Sequence, residues 1–147
     1  MRIYSTSENI AAPASAVWPL LCAVSSWPEW LSTFSIVKPI GQNGFRVGAQ
    51  FHVEQPKLRP AKWEVTSLAP ERSFAWQSKS SGFVMSANHA IEPIGDSNCK
   101  LTLEFTFSGA LARLVALFAG STAQRYITTE CRTFKRLAEA ANADASV

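Results

Sequence analysis

Residues 100–141 read KLTLEFTFSGALARLVALFAGSTAQRYITTECRTFKRLAEAA, and the change of period inside this stretch decides the fold. Leu101, Leu103, Phe105 and Phe107 alternate with Lys100, Thr102, Glu104 and Thr106. A period of two is that of a strand with one apolar and one polar face. Gly109 ends it. From Ala110 to Ala141 there is no proline and a single glycine, and the run reads as a long helix. Ala116, Ala123, Ile127, Cys131, Phe134 and Ala138 fall on one stripe, with Arg125, Arg132 and Arg136 opposite. Leu111, Leu114, Val115 and Phe118 point elsewhere, so the apolar direction rotates near Gly120-Ser121. Either the helix breaks there, or something other than a sheet covers its first turns.

Upstream of this stretch the strand signal extends back to about Thr33. Phe34, Ile36 and Val37 open it, and Phe45 to Glu54 continues it after the turn Gly41-Gln42-Asn43-Gly44. Trp63 and Val65 alternate with charged and polar residues. So do Phe74 and Trp76, and then Met85, Ala87, His89 and Ile91. Short turns at Pro70-Glu71-Arg72, Ser80-Ser81-Gly82 and Gly95 to Asn98 make these strands antiparallel neighbours. Arg2–Ile10 is compatible with a first strand. Residues 11–27 read as a helix that Pro19 should kink or shorten, and Trp27-Pro28-Glu29-Trp30 as a turn or second short helix. The expectation is an α+β domain over residues 1–141: about seven antiparallel strands curl around a long C-terminal helix, with two short helices after strand 1. Residues 142–147 are expected to fray. A sheet curled around a helix cannot close on it everywhere, so a cavity should remain between them.

Composition narrows the function. The chain has 147 residues, enough to bury a core without a metal or disulfide. Charged residues make up 17%, below the usual quarter, so much of the chain must be core or cavity wall. The net charge of +3 makes no strong case for nucleic acid or an anionic membrane. Cys22, Cys99 and Cys131 are scattered and lack CxxC spacing. The polar start MRIYSTSENI is unlike a signal peptide, and no apolar run reaches the ~20 residues of a membrane span. The expected setting is the cytoplasm, without membrane insertion. No GxGxxG, Walker A, GxSxG or HExxH motif occurs, so neither a cofactor nor a metal is expected.

The chain resembles the START-related, Bet v 1-like superfamily of helix-grip proteins, in particular its bacterial polyketide cyclase/dehydrase-like members. The resemblance rests on the opening strand followed by Pro13-Ala14-Ser15-Ala16-Val17-Trp18, on Trp27-Pro28-Glu29-Trp30 and on Trp63-Glu64-Val65. It continues through His89-Ala90-Ile91-Glu92-Pro93, Phe105 to Gly109, Arg125-Tyr126, Glu130 and Phe134-Lys135-Arg136. It spans nearly the whole chain and implies the helix-grip fold. Its members include lipid and hormone carriers, aromatase/cyclases and ligand sensors, so the fold alone does not choose a function.

Candidate site residues follow from the inner faces. Trp30, Phe34, Trp63, Trp76, Phe105 and Phe118 are candidate walls of a ligand cavity, against the alternative that each is ordinary core. His89 shares a strand face with Met85, Ala87 and Ile91. It is either a hydrogen-bonded core histidine or a group that orients a ligand or moves a proton. His52 should face outward. Tyr126 and Glu130 stand four apart on the long helix, and with His89 they are the acid/base candidates; Glu130 paired with an arginine is the structural alternative. Arg125, Arg132 and Arg136 read as a solvated helix face, with anionic ligand heads or nucleic acid the alternatives. The expected function is capture of a small hydrophobic molecule that is aromatic, polyketide-like or lipid-like. The alternatives are a cyclase/dehydratase using His89 with Tyr126 or Glu130, and a domain that regulates a partner protein.

Overall fold

The computed structural model describes residues 1–145. Its elements run β1 (Arg2–Ile10), α1 (Ala14–Cys22), a single 3-10 turn (Val24–Ser26), α2 (Trp27–Trp30), β2 (Ile36–Ile40), β3 (Gln50–Glu54), β4 (Ala61–Ala69), β5 (Ser73–Ser80), β6 (Phe83–Ile94), β7 (Asn98–Ser108) and α3 (Ala112–Ala145). The seven strands form one antiparallel sheet in the order β1-β7-β6-β5-β4-β3-β2. This is the helix-grip architecture.

Local chemistry sets several boundaries. Pro19 has no N–H, and α1 stops at Cys22 one turn later, where Ala23 N–H donates to the Pro19 carbonyl. Pro39 is tolerated inside β2 because β2 is an edge strand. The expected strand from Phe45 shortens to Gln50–Glu54, because Gly48 at φ 91° turns the chain and Phe45 instead packs on Phe51 and Phe74. Phe34 lies before β2 rather than in it.

Register fixes the inner face. Directly opposed residues share a face, and His89 stands opposite both Phe74 on β5 and Leu103 on β7, each fully buried. Ala87 likewise stands between Trp76 and Phe105. The inward register of Met85, Ala87, His89 and Ile91 is therefore the one observed. His52 is half-exposed on the outer face and donates Nε2–H to the Glu54 carboxylate at 2.8 Å.

α3 is one unbroken helix. Gly120 is a close-packing position, since a Cβ there would lie 2.1 Å from the Tyr4 hydroxyl oxygen of β1. The first turns of α3 are accordingly held in phase with the rest, and Leu111, Leu114, Leu117 and Phe118 face outward. Residues 142–145, expected to fray, continue the helix; Asn142 Nδ2 donates to the Ala11 carbonyl at 3.3 Å and ties it to the body. Residues 146 and 147 of that expected tail lie outside the described residues.

α3 packs mainly on β1 and β7. At one end Trp27 plugs the space between helix and sheet: it is fully buried, contacts Phe34, Phe74, Trp76, His89 and Phe134, and donates Nε1–H to the Leu20 carbonyl at 3.0 Å. Towards the other end the aromatic face of β4–β6 has no such plug, and a cavity remains.

Candidate ligand cavity

The cavity holds about 490 Å³. Its sheet wall is Trp63, Trp76, Met85, Ala87, Phe105 and Phe107, and its helix wall is Val115, Ala119, Ala123, Ile127 and the ring of Tyr126. Arg59, Pro60, Ser80 and Ser81 line it and are also solvent-exposed, so its mouth lies between the β3–β4 loop and the β5–β6 hairpin. The volume is within the usual range for small-molecule sites. The aromatics brace one another: Trp63 meets Trp76 at 5.4 Å and Phe105 at 6.1 Å, and Phe105 meets Phe107 at 5.1 Å.

Two ionisable groups reach this apolar interior. The His89 ring lies parallel to Phe74, with centroids 4.1 Å apart. Its Nδ1 is 3.2 Å from the Phe74 carbonyl oxygen, which can only accept, so Nδ1 carries the proton. Burial holds the imidazole pKa down at about 4, against the smaller upward effect of that bond. The ring is therefore neutral at pH 7 and Nε2 is an acceptor. Nε2 has no hydrogen bond among the described residues and is not a sealed buried atom, so it opens on the cavity that His89 lines.

Glu130 enters from α3. Its Oε2 accepts a bond from Thr33 Oγ1 at 2.8 Å, across 97 residues of sequence. Burial pushes its pKa up to about 8, and the threonine bond lowers it by less. At neutral pH it is a carboxylic acid with a proton to donate. Oε1 has no recorded partner and is not sealed either, so it too has access to the cavity. Among the described residues Glu130 makes no ion pair, so the structural alternative of a Glu130–arginine pair is not the one observed; Arg125, Arg132 and Arg136 are exposed on the opposite face of α3.

Tyr126 contributes its ring, but its hydroxyl donates to the Pro56 carbonyl of the β3–β4 loop. Gln55 Nε2 ties the same loop to the Thr33 carbonyl at 3.1 Å.

The sequence-selected residues thus divide. Phe34, Trp63, Trp76, His89, Phe105, Tyr126 and Glu130 line the cavity. Trp30 and Phe118 do not. Trp30 ends α2 with its ring packed edge-on against Phe134, 5.6 Å away, and Trp27 takes the central position. Phe118 is 79% exposed because the unbroken helix carries it outward. Thr33, Met85 and the loop residues Leu58 and Arg59 were missed. Met85 was legible from its strand face; the Thr33–Glu130 contact left no local signal. Among the described residues no cluster of three or more metal-ligating side chains occurs, and no helix is long and apolar enough to cross a membrane.

Residues 1–139 match the family model described as polyketide cyclase/dehydrase and lipid transport. The chain belongs to this family. No curated protein matches the chain in sequence. Several solved structures share its fold. A hypothetical protein from Helicobacter pylori superposes with a TM-score of 0.78 at 12% identity, over 93% of this chain and 88% of that one. The Zhui aromatase/cyclase of a Streptomyces species gives 0.73 at 17% identity, over 94% and 93%. Norcoclaurine synthase from Thalictrum flavum gives 0.72 at 15% identity, over 92% and 85%. The family member described here shares its helix-grip fold with all three.

Proposed function

We propose that this protein captures one small, uncharged, largely apolar molecule in the cavity, with a polar end of the ligand meeting His89 and Glu130. One observation carries the reading: an aromatic-walled space of about 490 Å³ is lined by two fully buried ionisable groups, His89 and Glu130, and burial holds both neutral. A charged ligand head would find no opposite charge at the inner end. A carbonyl or hydroxyl would find a donor in the Glu130 carboxylic acid and an acceptor in His89 Nε2. An aromatic, polyketide-like or lipid-like molecule has this character. The cytoplasm is the setting we assign, in keeping with three free thiols. Native mass spectrometry of protein from its own host tests the proposal. A retained mass that denaturation releases supports it; an empty cavity that also fails to bind hydrophobic dyes defeats it.

A second reading has its own support. An acid of raised pKa and a base of lowered pKa open on one cavity, the pattern by which a site holds acid and base together at neutral pH. In a cyclase/dehydratase, His89 Nε2 would take a proton from carbon next to a carbonyl. Glu130 would give its proton to the departing hydroxyl, which leaves as water. Turnover of a polyketone substrate that His89→Ala and Glu130→Gln each abolish, with ligand affinity kept, would select this reading over simple capture.

A further inference from the structure

The outward face of α3 in its first half, together with the turn that leads into it, is unusual. Leu111, Leu114, Leu117 and Phe118 are all exposed, Leu117 by 77% and Phe118 by 79%. Single exposed apolar residues are ordinary, but four large ones on adjacent turns make a contiguous ridge. The ridge adjoins the cavity. At 3.6 residues per turn Phe118 lies about 60° around α3 from Val115, which lines the cavity. Leu111 N–H donates to the Gly82 carbonyl at 2.8 Å, so the ridge abuts the β5–β6 hairpin that forms one side of the mouth.

Glu130 is buried and Glu104 alternates with the inward-facing Leu103 and Phe105 of β7, whereas the exposed charges on the segments that form the mouth have one sign. Residues 55–60, 73–91 and 105–129 contain no aspartate or glutamate. They carry Lys57, Arg59, Lys79, Arg113 and Arg125, all exposed and none in an ion pair among the described residues. The basic face then continues along α3 at Arg132 and Arg136, in line with Phe118 and Leu114. The modest net charge of the chain hides this segregation.

We propose that the ridge of Leu111, Leu114, Leu117 and Phe118, with its basic surround, docks the protein on an anionic lipid surface with the cavity mouth beside the contact. An exposed apolar stripe with basic residues at its margins suits the boundary between headgroups and acyl chains. The ridge is convex, and lipid deforms around a protruding side chain where a protein partner would need a matching groove. A symmetric second copy is disfavoured, because these mouth segments carry only positive charges and would meet their own kind. The docking is peripheral and goes beyond the ligand reading: it requires only the surface, whether or not the cavity is filled.

Flotation with vesicles tests it, using the full chain. The protein is expected to float with vesicles of phosphatidylcholine mixed with phosphatidylglycerol, more weakly with phosphatidylcholine alone, and less as salt rises. The double variant Leu117→Gln with Phe118→Gln removes two exposed apolar groups and keeps good helix formers, so circular dichroism should be unchanged. Its partitioning should fall by at least about ten-fold. Arg113→Gln with Arg125→Gln should weaken binding to the anionic vesicles alone. No flotation of the wild type overturns the proposal and leaves an acidic protein as the partner of this face. Equal flotation of the Leu117/Phe118 variant overturns the role of the ridge. A wild-type dimer that this variant dissolves, without vesicle binding, assigns the ridge to a second copy instead.

Discussion

His89 lies flat on Phe74, the two rings within 10° of parallel, and shares a hydrogen bond with the carbonyl of the same residue it stacks upon. One neighbour thus fixes both the plane of the imidazole and its tautomer. The other nitrogen, Nε2, is left as an acceptor, to which a ligand hydroxyl in the cavity can donate. His89→Gln should keep most dye or ligand affinity, since an amide can supply both a donor and an acceptor. His89→Ala removes the stacked ring and its bond to the Phe74 carbonyl, which keeps its ladder bond to the His89 backbone, and should cost about 1–3 kcal/mol of stability by denaturant unfolding. Ring-nitrogen NMR shifts should show one tautomer, neutral from pH 7 down to nearly pH 4. A ring protonated at pH 6 would contradict this placement.

The buried pair also sets how stability depends on pH. Glu130 has a folded pKa of about 8 against 4.5 when unfolded, so between these values the folded state holds the extra proton and stability falls as pH rises. His89 has a folded pKa of about 4 against 6.5, so between these the unfolded state holds the extra proton and stability rises with pH. From pH 4.5 to 6.5 the two slopes oppose each other. From 6.5 to 8 Glu130 acts alone, and its contribution declines. Glu130→Gln should remove the decline above pH 6.5 and uncover the histidine's rise below it. Urea midpoints across this range check both halves; a wild type and variant with parallel profiles would refute the assignment.

Much of the fold was legible because it rests on local periods. The alternation from Lys100 to Phe107 and the inward register of His89 need only neighbours two residues apart. The continuity of α3 was not legible. Gly120 beside a rotating apolar stripe is what a helix break looks like in sequence, whereas its cause is Tyr4, more than a hundred residues away and packed where a Cβ would sit. Phe118 was misplaced by the same route: an apolar residue was assigned to the interior, and the unbroken helix carries it to the surface. Thr33 and Glu130 meet only through tertiary structure, so no spacing announces them.

Tyr126 should control access rather than affinity. Among the described residues its hydroxyl and Gln55 are the two side-chain ties on the loop whose Leu58, Arg59 and Pro60 border the mouth. Tyr126→Phe keeps the ring in the cavity wall and removes one tie, worth about 1 kcal/mol. Amides of Lys57 to Arg59 should then exchange faster, and a bound hydrophobic dye should leave about five-fold faster. If the release rate is unchanged while affinity falls, the hydroxyl contacts ligand directly and the loop is not the route.

The cavity itself is best tested by filling it. Trp76→Ala is a poor probe, because Trp76 packs on Trp27, Phe51, Trp63 and Phe74 and its loss should cost about 3–5 kcal/mol whatever the cavity does. Ala119 is better placed. It lines the cavity from the middle of α3, is only partly buried, and leucine is nearly as good a helix former. Ala119→Leu adds three carbons to apolar space, so the empty protein should gain up to about 2 kcal/mol if the site is open. The same atoms occupy ligand volume, so dye affinity should fall. Stability and binding thus move in opposite directions, which neither a misfolded variant nor a surface dye site would produce. Destabilisation with unchanged dye binding would mean that side chains already fill this space and that the dye sits elsewhere.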